Sequence, residues 1–134
     1  MFATVAFSSV IGQKINDGDV PTAVKAAFTK AYPGLKAKWE KEQGNFEAGF
    51  KKDGKTMSAT FESTGLFVES ETVIKESELP ADVLSYVKSN YNNKKIKESA
   101  KITNASGVVT YEAEVDDTSL IFDGNGKFIK SVKD

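Results

Sequence analysis

Residues 20–34 read VPTAVKAAFTKAYPG, and residues 79–93 read LPADVLSYVKSNYNN. The two stretches state one pattern twice. In the first, Val20, Val24, Ala27, Phe28, Ala31 and Tyr32 fall on one face of a helix. In the second, Leu79, Val83, Tyr86, Val87 and Tyr91 draw the same stripe. Pro21 and Pro80 open the segments, where a missing N–H costs nothing, and Asp19 precedes the first at the positive helix end. Pro33-Gly34 stops the first helix by disfavouring helical backbone at Tyr32. Asn92-Asn93 takes that place in the second, since Asn tolerates the left-handed conformation that ends helices.

After each helix the period changes from 3.6 to two. Ala37, Trp39 and Lys41 alternate with Lys36, Lys38 and Glu40. Phe46, Ala48 and Phe50 then point one way and Glu47 and Gly49 the other. Asp53-Gly54 marks a hairpin. Met57, Ala59 and Phe61 share the next inward face, and Ser63-Thr64-Gly65 turns the chain into LFVESETVI. The second half supplies KIKESAKI, then YEAEV, then SLIFDGNGKF, then FIKSVK. Tyr111 aligns with Phe46, Glu112 with Glu47, Ala113 with Ala48, Phe122 with Phe61 and Gly126 with Gly65. By the same alignment Glu98 stands where Trp39 stands.

One helix and four short strands would leave a face and two edges open. Two such units, 13–78 and 79–134, can join their sheets through a short link at Val73 to Glu78. The expected architecture is α+β: two α-β-β-β-β repeats forming one antiparallel sheet of about eight strands, with both helices on one face. Two separate beads on a linker are the rival. The face away from the helices is expected to be solvated.

Composition removes several functions. The 134 residues include no Cys and no His, and all 18 basic residues are Lys. Zinc, blue-copper and iron–sulfur sites lose their usual ligands. Triads built on His cannot form, and bidentate Arg recognition is absent. A net charge of −1 offers no field for nucleic acid. No run is long enough to span a bilayer. No cofactor or metal is expected. Residues 1–12, MFATVAFSSVIG, are apolar and uncharged and read as the back half of a secretory signal or as a tail, with a cut after Gly12.

The tandem V/L-P-x-x-V, the helix ending at Tyr, the Trp-containing strand, [FY]-E-A and F-[ED]-x-x-G-x-F resemble the PepSY-like family of β-lactamase-inhibitor-like proteins, from Val20 to the C-terminus. The resemblance implies a fold like that of β-lactamase inhibitor protein, a periplasmic or secreted location and no enzymatic activity. It brings no catalytic residues.

The candidate binding surface is the open sheet face. Alternation assigns Lys38, Glu40, Glu47, Lys51 and Glu62 to it from the first half, and Lys97, Glu112 and Glu114 from the second. Lys36, Lys95, Lys101 and Asp123 are expected there too. The face suits a protein or peptide partner; the bland alternative is a wet face of cross-strand Lys–Glu pairs. Binding of a small ligand or cell-envelope component between the repeats, or a structural homodimer, are the other readings. Trp39 reads as core. Asp123-Gly124-Asn125-Gly126 reads as a hairpin turn, since it lacks the later acidic ligands of a calcium loop. Glu112 and Glu114 could support glycoside hydrolysis only if burial raised one pKa, which a wet face forbids.

Overall fold

Pro21 and Pro80 cap two ten-residue helices, α1 (Thr22–Ala31) and α2 (Ala81–Asn90), in a computed structural model that describes residues 12–92 and 94–133. The prolines sit one position earlier than expected, at the cap itself. Their extended backbone, ψ 142° and 143°, aims the carbonyl into the helix. The Pro21 carbonyl accepts from the Val24 and Lys25 N–H groups, and the Pro80 carbonyl accepts from Val83 N–H. The helix ends match as closely: Tyr32 N–H donates to the Phe28 carbonyl at 2.8 Å and Tyr91 N–H to the Val87 carbonyl at 2.7 Å. Gly34 turns with φ +80° after the first. The expected role of Asn93, and of the apolar segment before Gly12, lies outside the described residues.

The strands are β1 (Gln13–Ile15), β2 (Lys38–Glu42), β3 (Asn45–Lys52), β4 (Lys55–Glu62) and β5 (Phe67–Ile74), then β6 (Ile96–Asn104), β7 (Val109–Val115), β8 (Thr118–Asp123) and β9 (Phe128–Lys133). They lie in a single sheet in chain order. Every neighbouring pair is antiparallel. The α+β class and the joined sheet are as the sequence predicts. The order 3-10 turn, helix, four strands occurs twice, before and after Ile74.

Three details differ. A ninth strand exists: Gln13–Ile15 pairs with Trp39–Lys41 along the outer edge of β2. Three residues are too few to display a period, so only the edge they cover defines them. Val73 and Ile74, expected in the link, belong to β5, which pairs with β6 from Glu69↔Asn104 to Ile74↔Ser99. The link is reduced to Lys75 and the 3-10 turn Glu76–Glu78. Finally, Ser99 and not Glu98 occupies the position of Trp39. Trp39 pairs with Ala48, and Ser99 pairs with Ala113. An irregularity between Ile96 and Glu98 shifts the alternation by one residue and sends Glu98 to the far face.

The helices pack on one sheet face over two cores. Val24 and Phe28 meet Trp39, Phe46, Ala48, Phe50, Ala59 and Phe61. Val83 and Val87 meet Ala113, Val115, Leu120 and Phe122. Phe28 sits edge-on to Trp39 at 5.6 Å and to Phe50 at 5.2 Å between ring centres. In the second core Tyr86 stacks on Phe128 at 4.5 Å, and both lie edge-on to Phe122. Rings of this kind bury large apolar area, and paired geometry adds to it.

Two glycines hold the hairpin tips against the helix starts. Gly65, in the β4–β5 turn, has φ +92°, and a Cβ there would lie 2.7 Å from the Ala23 carbonyl oxygen. Gly126, in the β8–β9 turn, has φ +90°, and a Cβ would lie 3.0 Å from Pro80 Cβ. Asp123 Oδ1 accepts from the Asn125 and Lys127 N–H groups, which confirms the turn reading of that segment. Both glycines meet a backbone penalty and a steric one. Gly65→Ala and Gly126→Ala should each destabilise the fold by about 2 kcal/mol, read as a lower midpoint in thermal or urea unfolding. Gly54→Ala, with φ +79° but open space around it, should cost less.

Candidate functional site

The far face of the sheet is set by the same register that builds the core. Where Ala48 and Ala59 turn to the helices, Glu47 and Thr60 turn away, and so does Glu69 beside them. One row over, Gly49, Ser58, Glu71 and Ile102 lie side by side across β3 to β6. A third row runs through Val73, Ala100, Glu112 and Ile121 across β5 to β8. In these rows glutamates stand on β3, β5 and β7, while β4, β6 and β8 between them carry Ser, Thr, Ala and Ile; beyond them Glu40 on β2 is paired with Glu47, and Glu98 on β6 with Glu114.

The centre of this face is not wet. Glu112 is 0% exposed, Glu71 5%, Glu40 7% and Glu47 8%. This corrects the expectation for Glu40, Glu47 and Glu112. Their neighbours are buried too: Glu71 is paired with Ile102 and Glu112 with Ile121, and both isoleucines are 1% exposed, while Gly12 lies against the Glu40 carboxylate. Glu114 is half-buried, while Lys38, Lys51 and Glu62 are exposed. Lys97 is exposed and donates from Nζ to the Asp116 carbonyl at 3.0 Å, so it braces the β7–β8 turn. Lys101 pairs with Thr72 and Tyr111, in the row that carries Phe122 on the helix side, so it leaves the predicted set. Lys36 and Lys95 precede β2 and β6 and belong to no strand.

Glu69, Glu71 and Glu98 belong to the cluster although alternation in the first strands does not point to them. The signal for two of them was available in Glu69-Ser70-Glu71, a pair of carboxylates on one side of a strand. Their importance depends on β5 lying centrally, with strands on both sides.

Burial dominates the electrostatics. It pushes Glu47 up to about 7, helped by the negative charges of Glu40 and Glu42, and a hydrogen bond from Ser58 opposes the rise. Burial likewise raises Glu69 to about 7, with Glu42 adding to it. Glu71 lies well above the usual carboxylate range, through burial first and then through Glu112, Glu47, Glu69 and Glu98. Glu98 is raised by burial and by Glu114. Oε1 of Glu47 and Oε2 of Glu71 are buried and have no hydrogen-bond partner among the described residues. A buried carboxyl oxygen without a partner is a standing cost to the fold.

The fold is a single antiparallel sheet with two helices on one face, and the chain belongs to a known family. The family described as "Putative beta-lactamase-inhibitor-like, PepSY-like" matches residues 44–130. A periplasmic protein of Bacteroides eggerthii, so described provisionally, superposes with a TM-score of 0.76 at 16% identity, over 85% of this chain and 88% of that one. A Bacteroides ovatus protein gives 0.75 at 22% identity, over 87% and 89%. A protein of Bacteroides fragilis described as like β-lactamase inhibitor protein gives 0.68 at 22% identity, over 84% and 86%. At these identities the likeness speaks for the fold. No curated protein matches the chain. Among the described residues no helix is long and apolar enough to cross a membrane.

The raised pKa values carry a sign. An unfolded glutamate loses its proton near 4.5, whereas folded Glu47 and Glu69 lose theirs only near 7. Between those values the folded state holds more protons, so stability falls as pH rises through that window. The melting temperature should be higher at pH 5 than at pH 8. Glu47→Gln should raise stability at pH 8 by about 2 kcal/mol and change it little at pH 5, as read by denaturant unfolding at the two pH values.

Proposed function

We propose that this chain is a non-catalytic exported binding domain, periplasmic or secreted, that takes a protein or peptide on its open sheet face. The observation that carries this reading is the set of carboxylates buried at the centre of that face. A purely structural sheet would gain stability by placing apolar residues there, and stability given up at one place is a mark of function. Membership of an inhibitor-like family supports it, as does the periplasmic description of the B. eggerthii protein of the same fold. We read the molecule as two fused units, 13–78 and 79–134, making one domain. Glu40, Glu47, Glu112 and Glu114 are the carboxylates of the binding face in this reading, with Lys38, Lys51, Glu62 and Lys97 at its periphery.

Thr60 stands between Glu47 and Glu69 on this face and is half-buried. Thr60→Trp would place a large side chain over the surface while leaving the helix-side core alone. Tagged full-length chain should capture a partner from the envelope and secreted fractions of its source cells, and Thr60→Trp should lose that partner. Equal capture by both would put the interface elsewhere. Class A β-lactamase hydrolysis, followed with micromolar chain present, tests the inhibitor-like form of the reading; an unchanged rate rejects that form.

A further inference from the structure

The carboxylates of the far face do more than mark a surface. They restrict the chemistry of what can cover it. Glu71 is 5% exposed, its Oε2 has no hydrogen-bond partner among the described residues, and the charges that act on it are all negative. Those charges come from every side: Glu47 on β3, Glu69 on β5, Glu98 on β6 and Glu112 on β7. Glu47 faces Glu40 and Glu42 from β2. The lysines with the same orientation, Lys14, Lys38, Lys51 and Lys130, are exposed and lie on β1, β2, the end of β3 and β9, with Lys14 paired with Glu40. A neutral partner closing over this face could donate hydrogen bonds but would bring no charge to offset the clustered negative charge, and an acidic one would add to the repulsion. A basic one would bring charged donors to Oε1 of Glu47 and Oε2 of Glu71, the two oxygens without a partner.

We propose that the glutamate face is a receptor for a cationic polypeptide segment, whose lysine or arginine head groups take up the carboxylate oxygens of Glu47 and Glu71. The proposal rests on the sheet-face reading above and names the chemistry of its partner. The layout favours a polypeptide over a single ion. Glu47, Glu71 and Glu112 stand on β3, β5 and β7, and alternate strands are set roughly 10 Å apart by the spacing of the sheet, while calcium draws its oxygens to about 2.4 Å. Among the described residues no three acidic side chains are grouped to hold a metal. Long basic side chains carried by one backbone can answer several such carboxylates at once, and their flexible stems suit the isoleucine-lined floor. Binding a cation favours the ionised carboxylates, so complex formation should release protons.

The test uses fluorescently labelled octalysine and the full chain, by anisotropy at low ionic strength, with fully acetylated octalysine as the neutral probe. Octalysine should bind saturably, more tightly at pH 8 than at pH 5, and the acetylated peptide should not. The double variant Glu47→Gln/Glu71→Gln should weaken binding at least tenfold. Asp53→Asn/Glu76→Gln, an equal charge change at exposed positions away from the face, should change it less than twofold. Calorimetry in two buffers of different ionisation enthalpy should detect proton release by the native chain. Absence of saturable binding, or equal losses in the two double variants, overturns the proposal. The capture experiment separates it from the reading beneath it. A partner lost with Thr60→Trp but kept by Glu47→Gln/Glu71→Gln would leave the binding face standing and remove the cationic requirement. A partner kept by Thr60→Trp would remove the face itself.

Discussion

The ladder between β5 and β6 turns two similar halves into one sheet. Glu69 to Ile74 align with Asn104 to Ser99, so neither half keeps an open inner edge. The link between them, Lys75 and a single 3-10 turn, is too short to hold them apart. The same pairing places Glu71 against Ile102. One set of hydrogen bonds therefore builds the sheet and dries the carboxylate at its centre. Without the ladder, β5 would be an edge strand and Glu71 would face water.

The two sides of the sheet show opposite physical priorities. On the helix side, Phe28, Trp39 and Phe50 in one core and Tyr86, Phe122 and Phe128 in the other fill the space with rings at favourable angles. Gly65 and Gly126 let the hairpin tips reach the helix starts, so the sheet and each helix are pinned at a backbone as well as through side chains. On the far side, Glu47, Glu71 and Glu112 are buried beside Ser58, Ile102 and Ile121. The first side stabilises the fold. The second costs stability, and the cost grows as pH rises and the carboxyls ionise.

The chain shares its family with inhibitor-like proteins and its fold with Bacteroides proteins at 16–22% identity. At that distance a common arrangement of helices and strands is kept by core packing, while the exposed chemistry is free to differ. Function has to be argued from the face this chain presents. What it presents is a band of carboxylates that runs from β2 to β7.

The repeated helix stripe, the prolines that open it, the period-two segments and the turn glycines are all local features. Helix period, cap and turn depend on neighbours within a few residues, and a linear chain displays those openly. That is why the class, the joined sheet and the inward faces of Trp39, Phe46 and Phe122 could be read from the residues alone. Other features depend on distant partners. β1 exists because β2 offers it an edge. Ser99 replaces Glu98 in the core register because an irregularity in β6 shifts the alternation. Alternation told which side Glu47 and Glu112 face, but not how deep they lie, since depth depends on what the assembled chain packs around them. Burial is a property of the assembled sheet, and so is the charge state that burial imposes.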